Sequence, residues 1–199
     1  MALNKKNKTI LIVSILVSAV FIRLIPHMPN FAPITAAALF SAAYLPKKYL
    51  FVVPLLAVAI SDYLLLYVNP FSAQMLNFSS LQPLSAMFHG TTFWVWGSFM
   101  VSALIGLALR KKASPMRIGS ASLLASIQFF IITNFGVWAA GAYGPGITGL
   151  IATYAAGWPF FGWTALGDLF YSASFFGLFA LALKYAPKQK SSLATQKSS

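Results

Sequence analysis

The sequence predicts an all-α integral membrane protein, a bundle of six transmembrane helices. Three observations carry this. The chain is apolar throughout, 59% hydrophobic with a mean hydropathy of +0.77, well above a soluble domain. Its only carboxylate side chains in 199 residues are Asp62 and Asp168, each set inside a long apolar run. A soluble surface needs many mixed charges, and this chain lacks them. Finally, thirteen of its fourteen Lys and Arg residues lie at the chain ends or in short connectors, and only Arg23 stands within an apolar run.

The elements follow in order. Residues 1–8 are a basic N-terminus carrying Lys5, Lys6 and Lys8, and the first apolar run is 9–25. A basic start before an apolar run resembles a signal peptide, but no small-x-small cleavage site follows. The run ends in Arg23-Leu-Ile-Pro26-His27, which favours an uncleaved first span. The second run, 31–45, is short; the third, 49–68, contains Pro54 and is expected to kink there. Runs four to six are 91–109, 118–140 and 160–183, each long enough for a helical span. Between the runs lie breakers such as Pro46, Pro83, Pro115, Gly141, Gly144 and Pro159. Residues 147–158 are too short to cross and are expected to form a half-helix or interfacial segment. The tail 186–199 is rich in Ser, Lys and Gln and is expected to be disordered. The organisation is therefore one membrane domain, 9–185, between two cytoplasmic termini.

Charge sets the orientation. If all six runs cross from a cytoplasmic N-terminus, the inner segments hold Lys5, Lys6 and Lys8, then Lys47 and Lys48, then Arg110 to Lys112 with Arg117, then the tail lysines. The outer segments 26–30, 69–90 and 141–159 hold no Lys or Arg. This alternation is the positive-inside pattern. It also accounts for the net charge of +12 without nucleic acid, since no continuous basic face exists. The chain has no Cys, which excludes disulfides, thiol catalysis and thiolate metal ligands.

The polar exceptions converge on one level. Arg23, Asp62, Asn134 and Asp168 fall in the outer parts of four different spans, and His27, Asn30 and His89 lie on the adjacent connectors. Asn134 and Trp138 share a helix face, as do Thr164, Asp168 and Tyr171. Taken singly, each has a structural explanation: Arg23 snorkels, the aspartates pair with it, the tryptophans form an interfacial belt. Taken together, and with the inner halves of the spans free of charge, they suggest an outward-facing ligand pocket. Its candidate residues are Arg23, His27, Asn30, Asp62, His89, Asn134, Trp138, Asp168 and Tyr171. One Arg against two carboxylates leaves an imbalance that a proton or a cation must complete. Small residues such as Ser14 and Ser18, Ala38 and Ala42, and Gly177 suit close helix packing within the bundle.

Several segments carry a resemblance: Arg23-Leu-Ile-Pro-His27-Met-Pro-Asn30-Phe-Ala-Pro33, Ser61-Asp62, Thr133-Asn134-Phe-Gly-Val-Trp138, Thr153-Tyr-Ala-Ala-Gly157-Trp-Pro159 and Gly167-Asp168-Leu-Phe-Tyr171. Over nearly all of 9–185 the chain resembles an uncharacterised bacterial membrane family. That family is similar to the substrate-binding S components of energy-coupling-factor (ECF) vitamin transporters, with solitary cobalamin-transporting members as the nearest studied relatives. The resemblance implies a six-helix bundle in the bacterial inner membrane, a vitamin-like substrate held near the external face, and docking on an ECF-type coupling protein with ATPases. Solitary cobalamin transporters can use a Cys as cobalt ligand. This chain has none, and His89 stands near the corresponding region.

The leading expectation is therefore a small-molecule binding and uptake protein, not an enzyme, with no cofactor and no resident metal. No G-x-x-x-x-G-K-[ST] signature supplies ATP chemistry. Divalent metal uptake through His27, His89, Asp62 and Asp168 is one alternative. A structural membrane protein without ligand is another. Leu166-Gly167-Asp168 matches an intramembrane aspartyl-protease motif only weakly, because Ala165 stands where a further Gly is expected.

Overall fold

A computed structural model describes residues 5–78 and 80–185. The expected disorder of 186–199 and the first four residues of the basic N-terminus lie outside these. The described residues form six α-helices: α1 (Lys5–Ile22), α2 (Ile34–Tyr44), α3 (Val52–Leu64), α4 (Thr92–Gly106), α5 (Pro115–Ala139) and α6 (Gly146–Tyr185). Among the described residues there is no β-strand, only an isolated antiparallel bridge between Val68 and Leu76. Three helical stretches are long and apolar enough to cross a membrane: Thr92–Leu109, which adds a 3-10 turn to α4, then α5 and α6. Membrane-compatible helical character is thus present. At 1.5 Å per residue, the 11 residues of α2 and 13 of α3 span only about 16 and 20 Å, short of a hydrocarbon core of roughly 30 Å.

Contacts at the two ends give the helix directions. Arg23, just past α1, reaches Asp62 near the end of α3, and Trp96 near the start of α4 reaches the same carboxylate. At the opposite end Arg110, following α4, donates to the carbonyls of Ala42 and Leu45, both at 2.7 Å. There also the Lys8 ammonium stands 5.9 Å from the centre of the Phe179 ring. Lys8 and Arg110 therefore lie at one end of the bundle, and Asp62 with its partner Arg23 at the other.

The hub is α2. Every residue from Ile34 to Ala43 is buried, so this Ala-rich helix has no polar face and needs none. Phe40 packs edge-on against Phe176 and Phe179 of α6. On its other side α4 comes in so closely that a Cβ at Gly106 would stand 2.8 Å from the Leu39 carbonyl oxygen. Small residues are what allow such backbone contact.

Two local expectations are corrected. Pro54 does not kink a helix. A 3-10 turn at Lys47–Tyr49 delays the start of α3 to Val52, so Pro54 falls in the first turn, where its missing N–H would have had no intrahelical partner. Residues 147–158 are not a separate segment either; they are helical and continuous with the last span in the 40-residue α6. Ser126–Asp168 and Ser122–Ser172 pair α5 and α6 four residues for four, as antiparallel neighbours do. Further out, Phe130 alone touches Tyr154, Trp158 and Phe161. Tyr154 bonds Ile131 while Gly157, three residues on, meets Asn134, three residues back toward the connector. Phe130–Phe161 and Asn134–Gly157 keep the same four-for-four order, so this stretch also runs beside α5. Pro159 lies within it and leaves the Ala155 carbonyl without its intrahelical donor.

Candidate functional site

The helix ends near Arg23 and Asp62 do not close. A cavity of about 200 Å³ remains, lined by the Arg23–Asp62 pair, by His89 and Thr92, and by Thr35, Thr164 and Asp168. Val95, Phe99 and Phe129 line the rest. On the inner side the cavity ends at α2, whose first two residues, Ile34 and Thr35, face it. Asn30 contributes from the α1–α2 turn with φ of 65°, a left-handed conformation that Asn tolerates better than most residues.

The two carboxylates are held differently. Asp62 has both oxygens engaged: Oδ1 accepts from Arg23 at 2.5 Å and Oδ2 from the Trp96 indole N–H at 2.8 Å. The same Arg23 nitrogen donates to Ser61 Oγ at 2.6 Å. Both side chains are mostly buried, at 19% and 14% exposure. Asp168 is 1% exposed, and its contacts are hydroxyls: Ser126 Oγ donates to Oδ2 at 2.7 Å, and the Thr35 side chain lies beside it. Among the described residues Asp168 has no cationic partner. With each aspartate tied to its own neighbours, no shared carboxylate dyad is formed.

A second cavity of about 210 Å³ adjoins the first, and both are lined by Asn30, Val95, Phe129 and Thr164. Its further walls are Thr133, Asn134 and Gly157 with the rings of Phe130, Phe160 and Phe161. A Cβ at Gly157 would meet the Asn134 amide, so a larger residue here would have to displace that side chain. Together the two chambers reach the lower part of the size range of small-molecule sites, roughly 300–1,000 Å³.

Of the nine residues singled out from sequence, Arg23, Asn30, Asp62, His89 and Asp168 line the first cavity, and Asn134 lines the second beside Asn30. Three are engaged elsewhere. His27 Nδ1 lies 2.6 Å from the Ile25 carbonyl, and its ring stands edge-on to Phe71. Trp138, one turn beyond Asn134, donates to the Gly146 carbonyl at 3.1 Å. Tyr171, one turn inward of Asp168, is packed among Phe31, Phe170 and Phe175. Sequence reasoning missed Thr35, Thr92, Phe99 and Ser126. Ser126 carried one signal, a hydroxyl at i+4 from Ser122 within a span; the others are ordinary residues of apolar helices.

No curated protein and no solved structure matches this chain. Residues 3–191 match a family of unknown function, DUF6580, and on that coverage the chain belongs to this family.

Proposed function

We propose that the protein captures a small, vitamin-like molecule from the external side of the bacterial inner membrane and passes it inward. It does so as a six-span, S-component-like bundle with both termini cytoplasmic. The observation that carries this reading is the paired cavity, where rare polar groups from several helices meet beside apolar and aromatic walls. A structural protein has no need to leave such space unfilled. Neither chamber encloses a molecule as large as a corrinoid, so the ligand is small. The role is binding and transport, not catalysis, and an ECF-type coupling protein with its ATPases is the energising partner the resemblance implies. Metal uptake is less well supported, since among the described residues no three His, Asp or Glu side chains come together.

The test is mass spectrometry of small molecules that co-purify with gently solubilised protein. A single compound should accompany the wild type and be absent when Val95→Phe narrows both chambers, which Val95 lines. Recovery of no compound from either, with cellular uptake of labelled vitamins unchanged on deletion, defeats the proposal. Orientation has its own assay: in this Cys-free chain, Cys at Lys111 should resist impermeant external thiol reagents while Cys at Ser85 reacts.

A further inference from the structure

We infer that the ligand is a protonated, N–H-bearing cation with a flat apolar body, such as an amine or amidine, and not a quaternary ammonium or an anion. This rests on the cavity being the binding site and specifies what the site selects. Charge gives the first half of the argument. Arg23 and Asp62 neutralise one another at 2.5 Å, which leaves Asp168 as the carboxyl without a cation. A buried carboxylate without a counter-charge is costly. The start of α2 faces the same carboxyl through Thr35, and helix N-termini favour negative charge beside them. A cationic ligand completes the set.

Hydrogen-bond direction gives the second half. The hydroxyls around Asp168 have already committed their single protons. The single Ser126 proton lies between Asp168 at 2.7 Å and the Ser122 carbonyl at 3.0 Å, Thr164 donates to the Phe160 carbonyl at 3.1 Å, and in the adjoining chamber Thr133 donates to the Phe129 carbonyl at 2.8 Å. A hydroxyl has one donor and two lone pairs, so these threonines present lone pairs only. Asn134 turns its Nδ2 to the Phe130 carbonyl at 2.8 Å, which directs its own carbonyl oxygen toward Gly157. The wall formed by α5 and α6 thus accepts, and its occupant must donate. Thr164 belongs to both chambers, so a nitrogen seated at Asp168 leads the rest of the molecule toward Phe129, Phe130 and Phe161. Cations also bind aromatic faces.

The experiment is calorimetric titration of the full chain in lipid nanodiscs with four probes of similar size: benzamidine, benzyltrimethylammonium, benzamide and benzoate. Benzamidine should bind at least tenfold more tightly than each of the others. Asp168→Asn should weaken it tenfold or more, and Thr164→Val severalfold, with benzamide little changed by either. Should Asp168→Asn fail to fold, Thr164→Val and the probe ranking still decide. Equal or tighter binding of benzyltrimethylammonium, preference for benzoate, no benzamidine binding, or benzamidine binding indifferent to both substitutions overturns the inference. Failure of the uptake reading looks different: benzamidine binds as described, yet no transport is observed in cells or proteoliposomes.

Discussion

Asp62 sits between a guanidinium and an indole; Asp168, lining the same cavity, sits among hydroxyls. One carboxylate is paired with a cation by the fold; among the described residues the other is held by hydroxyls alone. Both are rare charges in an apolar chain, and their sequence contexts are alike. What separates them is the neighbouring helix. α3 meets the end of α1, which brings Arg23, whereas α6 meets α5, which brings Ser122 and Ser126. The comparison teaches that a carboxyl within a membrane-compatible helix is not by itself a functional mark; its partner set decides.

The comparison breaks most readily at Arg23. Arg23→Gln strands Asp62 and is expected to cost about 3–5 kcal/mol in equilibrium unfolding, as removal of one partner of a buried pair does. Arg23→Gln with Asp62→Asn should recover more than half of that loss. If the double variant is as unstable as the single, the pair does not have the structural role assigned to it. Gly106→Ala comes next, at about 1–3 kcal/mol, since the added methyl meets the α2 backbone and must push it aside. This substitution lies far from both carboxylates and calibrates what tight packing alone contributes. Trp96→Phe removes the indole donor from Asp62 Oδ2 and should cost about 1–2 kcal/mol by the same unfolding measurement. The smallest stability effect is expected at Asp168. Asp168→Asn keeps an acceptor for Ser126 and should change stability by less than about 1 kcal/mol, while ligand capture falls. Loss of folding at Asp168→Asn exceeding that at Asp62→Asn would show that Asp168 also holds the fold, and the ligand assignment would then rest on Thr164→Val and the probe ranking.

Much of this arrangement was legible because charge is scarce in the chain. Arg23, Asp62 and Asp168 stand out against apolar runs, and the spacing of the runs places them at one level. The pairing of Arg23 with Asp62 in preference to Asp168 was not legible, because it depends on which helices touch. Thr35 and Thr92 carry no sequence signal; they matter because α2 and α4 begin where the cavity lies. Pro54 misled because a three-residue turn before α3 moved it from mid-helix to the first turn. The Gly157-Trp-Pro159 stretch reads as a break for sound local reasons, but packing against Asn134 and Phe130 keeps it helical.

The shortness of α2 has a consequence for anything that enters the cavity. Its first residues face the cavity, and the carbonyls at its far end are held by Arg110 beside the basic connector. Between the two lies one buried helix of 11 residues, about 16 Å long. A bilayer's hydrocarbon core is roughly 30 Å thick. In a membrane, the depth from Thr35 to that far end is therefore about half the hydrocarbon thickness, and it is filled by one three-turn, Ala-rich helix.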